Sequence, residues 1–320
     1  MNKFACILCG LLFAAIIGCN KPVTNSDKPV VFVSIQPQKY FVEKIVKDLA
    51  QIEVLVPAGS SPHTYEPKPS QMSHLSKASL YFAIGIELEN AWLEKIKKIN
   101  PNLKIIHTDK NVNKIISQNT DIIHDKNSTN SDHDHHEHAN HDHDETADLH
   151  HDHHEHSHSG PDPHIWLSPE LVKKQAAIIA ETFIQYDSTW KDTIVKNNES
   201  FLQELSQLQD SIRQILSGCE SQKPFLVFHP SWNYFAKEFN LLEVPIELDG
   251  KEPSPKELGS ILNFAKKLNI NTIFVQPGFS DKSAQIIAKE LNGTVSIADP
   301  LDSNWSQNLL NMAKALKKDD

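Results

Sequence analysis

The sequence predicts an α/β protein of two lobes, each on a roughly four-stranded parallel sheet, with one long helix between them. Three observations carry the prediction. Short β-branched and aromatic runs alternate with helical stretches from Val30 to Ile106. A polar stretch, Ile194–Leu216, then carries Phe201, Leu202, Leu205, Leu208, Ile212 and Ile215 at i/i+3/i+4 spacing. After it the strand–helix alternation resumes to the C-terminus. Alternation of this kind builds βαβ units and parallel sheets, and a helix of about twenty residues reaches about 30 Å, enough to bridge two lobes.

In the first half the strands are Val30–Ser34, Ile52–Val56, Leu80–Ala83 and a fourth beginning at Lys104–Ile106. Helical spacing of apolar residues marks Tyr40–Leu49, Ser70–Lys77 and Leu88–Ile99 between them. Ser168–Phe183 reads as a helix because Ser-Pro-Glu opens it, with the proline where its missing N–H costs nothing. In the second half the strands are Phe225–Phe228, Val244–Ile246, Thr272–Val275 and Thr294–Ile297. The helices there are Tyr234–Phe239, Pro255–Leu268, Lys282–Leu291 and Trp305–Leu316. The division expected is a first lobe over 30–190, a linking helix over 191–218 and a second lobe over 219–320.

Ahead of these lies Met1-Asn2-Lys3, an apolar run from Phe4 to Ile17, and Gly18-Cys19-Asn20. The run is too short to span a bilayer and has the form of a secretory leader, residues 1–19, followed by a polar tether over 20–29. It resembles bacterial lipoprotein signal peptides, which implies Cys19 as the acylated residue. With Cys6 and Cys9 in the leader, only Cys219 is left in the body, so no intramolecular disulfide is expected. Cys219 reads as a half-buried thiol at a helix end. The formal net charge of −10 argues against a nucleic-acid partner.

The histidines are distributed most unevenly. Of 18 in the chain, thirteen lie between residues 124 and 158: His124, His133, His135, His136, His138, His141, His143, His150, His151, His153, His154, His156 and His158. Asp and Glu are interleaved with them and almost nothing is apolar, so the segment over 121–159 cannot bury enough surface to offset its ordering and is expected to be a disordered loop. Imidazoles and carboxylates at this density offer many weak, interchangeable sites for first-row metals.

Three other histidines sit in stiff surroundings. His63 follows the second strand in Pro57-Ala-Gly-Ser-Ser-Pro-His63-Thr-Tyr-Glu-Pro. His164 closes the acidic run in Asp162-Pro-His164-Ile-Trp, and His229 follows a strand in Phe228-His229-Pro-Ser-Trp232. Each is beside a proline: Pro62, Pro163 and Pro230. In open parallel sheets ligands bind beyond the carboxyl ends of strands, where His63 and His229 fall. Three neutral imidazoles favour zinc, whereas a manganese site would hold more carboxylate. His74 and His107 lack comparable flanks and read as structural.

These motifs, with Gly85-Ile-Glu-Leu-Glu-Asn-Ala-Trp92, Glu252-Pro-Ser-Pro-Lys256 and Phe274-Val-Gln-Pro-Gly-Phe-Ser280, resemble the zinc-binding proteins of bacterial ABC importers, the ZnuA-type, cluster A-I solute-binding family. The resemblance runs from Val30 to the C-terminus. It implies two lobes joined by a rigid helix, one metal in the cleft between them, and the ligand role for His63, His164 and His229. The family's fourth ligand position falls near Ser280, beside Asp281, and Gln276 stands where relatives often have Glu. Water, Glu66 and Asp281 are the candidates for that position.

The function implied is capture rather than catalysis: a monomeric, lipid-anchored protein of the periplasm or cell envelope binds Zn²⁺ and delivers it to a membrane permease driven by an ATPase. A manganese-binding member of the same family is the alternative. A zinc hydrolase or lyase would also suit three histidines and an open position, but there is no His-Glu-x-x-His helix, and Glu66 is the one obvious base. A metal-binding adhesin is a further possibility that the family raises.

Overall fold

The computed structural model describes residues 28–116, 160–247, 251–277 and 282–318. The histidine-rich segment, Cys19 and Asp281 lie outside the described residues.

The first lobe contains β1 (Val30–Val33), α1 (Gln36–Val46), β2 (Gln51–Val54), α2 (Pro69–Leu75), β3 (Leu80–Ala83), α3 (Glu87–Ile99) and β4 (Lys104–His107). Its strands run parallel in the order β2-β1-β3-β4. Next come α4 (Pro169–Tyr186) and α5 (Lys191–Ile215). The second lobe repeats the plan with β5 (Lys223–Val227), α6 (Asn233–Glu238), β6 (Leu241–Pro245), α7 (Pro255–Lys267), β7 (Thr272–Val275), α8 (Lys282–Glu290), β8 (Thr294–Ile297) and α9 (Trp305–Lys318). Its parallel order is β6-β5-β7-β8. In each sheet the chain moves one way from the first strand and then crosses back past it. A crevice therefore opens at the carboxyl ends of β1 and β3, and another at those of β5 and β7.

Capping chemistry sets several helix limits. α4 starts at Pro169 because Ser168 Oγ accepts the Leu171 N–H, and α7 starts at Pro255 within a Ser254–Glu257 capping box. α5 is 25 residues long, about 37 Å at the α-helical rise. It buries Ile194, Phe201, Leu205, Leu208 and Ile212 along one stripe.

The long helix is not the sole join between the lobes. α5 packs on α1 and α4 on one side and on α9 on the other. Trp305 of α9, fully buried, meets the Phe41 ring edge-on at 5.0 Å. Its Nε1 donates to the Trp166 carbonyl at 2.8 Å, while Trp166 Nε1 donates to the Pro300 carbonyl at 2.7 Å. One buried cluster accordingly runs from Val31 to Leu316 and takes in Phe225, Val227 and Phe274 from one face of the second sheet. Leu226, Ile273 and Val275 point to the opposite face and form a separate cluster with Ile261, Ala265 and Ile287. A fully buried tryptophan is worth roughly 3–5 kcal/mol against alanine, so the reciprocal Trp166–Trp305 clasp is a firm seam beside His164.

Candidate metal centre

Each of the three proline-flanked histidines is delivered to the interlobe cleft by a different device. His229 lies two residues beyond β5, which ends at Val227, and Glu247 lies two beyond β6, which ends at Pro245. The parallel register pairs Val227 with Pro245, so continuing it sets His229 against Glu247. Their contact is 3.3 Å from His229 Nδ1 to Glu247 Oε1. His164 precedes a 3-10 turn, Ile165–Leu167, and the Asp162 Oδ1 accepts both its backbone N–H and its ring Nδ1, each at 2.9 Å. His63 sits on the loop between β2 and α2, with its Nδ1 3.1 Å from Oε2 of Glu87 in the first turn of α3.

A carboxylate therefore holds Nδ1 in all three rings, which makes Nδ1 the protonated nitrogen and Nε2 the one with a lone pair for a metal. The three residues each offer one ligand atom within 4.8 Å of the others. The His229 ring centroid is 5.3 Å from that of His63 and 5.8 Å from that of His164. Zinc with bonds of about 2.0–2.1 Å holds tetrahedral nitrogens roughly 3.4 Å apart, so binding asks for little further movement. Among the described residues this is the one group of three or more His, Cys, Asp or Glu side chains placed to hold a metal.

The cleft between the lobes holds a cavity of about 40 Å³. His63 and Glu87 line it from the first lobe, His229, Gln276 and Asp299 from the second, and His164 at the seam. That is room for an ion and a little water, since one water needs about 10–15 Å³. Asp299, missed by the sequence reading, is the carboxylate that the second lobe brings to this cavity from beyond β8. Burial raises its pKa, with Asp302 adding to the effect and a bond from the Leu301 N–H opposing it. Gln276 also reaches the cavity. Glu66 does not join the cluster: it is exposed and stands apart from the three ligand atoms. His74 and His107 are mostly exposed and face Glu53 and Asp109 instead.

A second cavity of about 470 Å³ backs onto His63 and His164 and is lined by Glu87, Glu89, Asp109 and Asp162, with Lys114 tied to Asp109 at 2.7 Å. Glu89 is buried there, and desolvation raises its pKa against bonds from Ser34 Oγ and the Ile84 and Gly85 amides. Carboxylates outnumber cations around the site, which favours a positive ligand.

Two parallel-sheet lobes with an imidazole cluster in the cleft define a metal-binding solute-binding protein. The chain belongs to the family of the periplasmic zinc-uptake complex component A, ZnuA, whose model matches residues 31–318. It is 28% identical over 307 residues to the high-affinity zinc uptake system protein ZnuA of Bacillus subtilis (strain 168), covering 93% of this chain and 88% of that protein. It is also 23% identical over 299 residues to the manganese ABC transporter substrate-binding lipoprotein scaA of Streptococcus gordonii, covering 89% and 85%. A crystal structure of ZnuA superposes with a TM-score of 0.76 at 38% identity, over 91% of this chain and 99% of that one. The family is one of metal-transport binding components, some named for zinc and some for manganese, and not of enzymes. Among the described residues no helix is long and apolar enough to cross a membrane.

Proposed function

We propose that this protein captures Zn²⁺ outside the cytoplasm and delivers it to an ABC permease driven by an ATPase. His63, His164 and His229 hold the ion, and water or Asp299 completes four-coordination. The observation that supports this reading most strongly is the convergence of three imidazoles, each with Nδ1 on a carboxylate, in one cleft. Three neutral nitrogens suit zinc better than manganese, which prefers oxygen ligands. The protein acts as a monomer, anchored through an acylated Cys19 and a tether over 20–29, and the histidine-rich segment raises the local zinc concentration, an avidity effect rather than the source of tight binding. If Asp281 contributes a ligand, it does so as a rival of Asp299 for the same open position.

The test is metal analysis and chelator-competition titration of the chain with residues 121–159 deleted. One tight zinc per molecule is expected, with manganese bound far more weakly and several weaker zinc sites lost relative to the full chain. Affinity should fall as the solution is acidified, because protons compete with the metal for the imidazoles. Loss of the tight site on deletion, or a preference for manganese, would refute the assignment.

A further inference from the structure

One buried polar group beside the site has no part in the capture scheme above: the hydroxyl of Tyr234. The residue is the second of α6, five positions after His229, and is 4% exposed. Its ring packs in the large core cluster, a role phenylalanine would fill as well. The hydroxyl does something else. It accepts the backbone N–H of Ile115 at 2.9 Å and donates to the backbone carbonyl of Asp162 at 2.8 Å.

Those two residues flank the histidine-rich segment. Ile115 is just before it and Asp162 just after, and they bond each other through Asp162 N–H and the Ile115 carbonyl at 2.8 Å. An antiparallel bridge between Ile116 and Pro161 lies alongside. Asp162 is at the same time the residue whose carboxylate holds the backbone and ring N–H of His164. A path of hydrogen bonds thus runs from the second lobe, through the main chain of Asp162, to the ring of a proposed ligand. Burial also pushes the Tyr234 phenol well above its ordinary pKa, so it stays a donor at any physiological pH.

We propose that Tyr234 is a positioning residue for the metal site: its hydroxyl fastens the base of the histidine-rich segment to the second lobe and so fixes Asp162, which aims His164 Nε2 into the cleft. The proposal rests on the zinc-capture reading for its effect on affinity, but its effect on His164 does not need metal. Tyr234→Phe keeps the ring and deletes both bonds. Outer-shell partners of a metal ligand typically control affinity by roughly 10–100-fold, and a loss of about tenfold is expected here.

Four proteins form the experiment: the full chain, Tyr234→Phe, Asp162→Ala and the double variant. Zinc affinity is measured by chelator competition, Co²⁺ absorption reports the ligand geometry, and nitrogen-15 spectra of the metal-free proteins report the His164 tautomer. Tyr234→Phe should weaken zinc about tenfold, change the Co²⁺ band and mix the His164 tautomers, while melting close to the parent. In the Asp162→Ala background its further effect on affinity should shrink to about twofold or less, because the two act in series. Parent-like affinity and His164 spectra in Tyr234→Phe would overturn the proposal, as would full additivity in the double variant. If the full chain itself bound no zinc tightly, the capture reading would fail, and the tautomer measurement would still decide the role of Tyr234. Should Tyr234→Phe prove unstable, the His164 tautomer in Asp162→Ala, which has no side-chain acceptor, serves as the second arm, and an unaltered tautomer there breaks the path at its last step.

Discussion

The three histidines look alike in sequence but are held very differently. His164 and His229 are each 7% exposed, and their carboxylate partners Asp162 and Glu247 are 5% and 6% exposed. The His63 side chain is 23% exposed and that of Glu87 45%. Two of the three rings are thus set in low-dielectric surroundings where a charge-assisted hydrogen bond is strong, and the third is carried on a loop where water screens its partner. The difference points to a division of labour. In the capture scheme we propose, His164 and His229 form a seat built before the ion arrives, and His63 completes it from the more open side of the cleft.

Removing ligands should give the largest effects and can break this division outright. His229→Ala takes away half of the prebuilt seat, and the loss of zinc affinity should exceed the roughly 100-fold upper range of outer-shell changes. His63→Ala leaves the buried pair intact and should cost less. Parallel chelator-competition titrations measure both, and equal losses would erase the distinction between seat and arm.

The carboxylates sharpen the comparison. Glu247→Gln and Asp162→Asn keep the shape of the buried partners but remove the charge that orients each Nδ1–H, so each should weaken zinc about 10–100-fold. Glu87→Gln makes the same chemical change at an exposed pair, where such interactions are worth at most about 1 kcal/mol, or about fivefold. A Glu87 variant as damaged as the Glu247 variant would show that His63 belongs to the rigid seat.

How much of this was legible in the sequence differs between the two levels of structure. The strands largely were, because most are short apolar runs between turn residues: all eight overlap the expected runs, although β6 begins at Leu241, three residues before the Val244 expected. Helix starts were less so. Apolar spacing places the first helix from Tyr40, yet α1 begins at Gln36, because Pro37 suits a first turn and the Gln38 side chain accepts the Ser34 N–H at 2.9 Å. The three histidines announced themselves through their prolines. Their partners did not. Asp162 is two residues from His164 and Asp-Pro-His is a local signal, but Glu87 and Glu247 are 24 and 18 residues from the rings they touch. The parallel register of β5 and β6 brings Glu247 to its ring, and the loop after β2, lying against the first turn of α3, brings His63 to Glu87. The family resemblance points to a carboxylate after β7, near Asp281, while the fold also brings Asp299 to the cavity from beyond β8.

The smallest effect expected concerns the ground beneath the buried seat. Glu243 of β6 turns its carboxyl under the His229 loop, where Oε1 accepts the Ser231 and Trp232 amides at 3.0 and 2.7 Å. Desolvation, helped by the nearby Asp162 charge and opposed by those two bonds, pushes its pKa up to about 8. In the unfolded chain a glutamate titrates near 4.3, so between these values the folded protein binds the extra proton. Stability of the metal-free protein should therefore fall as pH rises from about 5 to above 8. Glu243→Gln keeps an oxygen to accept both amides and has no proton to lose, so its melting temperature should decline less and overtake that of the parent at alkaline pH. Parallel melting curves for the parent and Glu243→Gln across this range would mean that the floor of the seat is wetter than its hydrogen bonds imply, and would weaken the case for a dry, prebuilt pair.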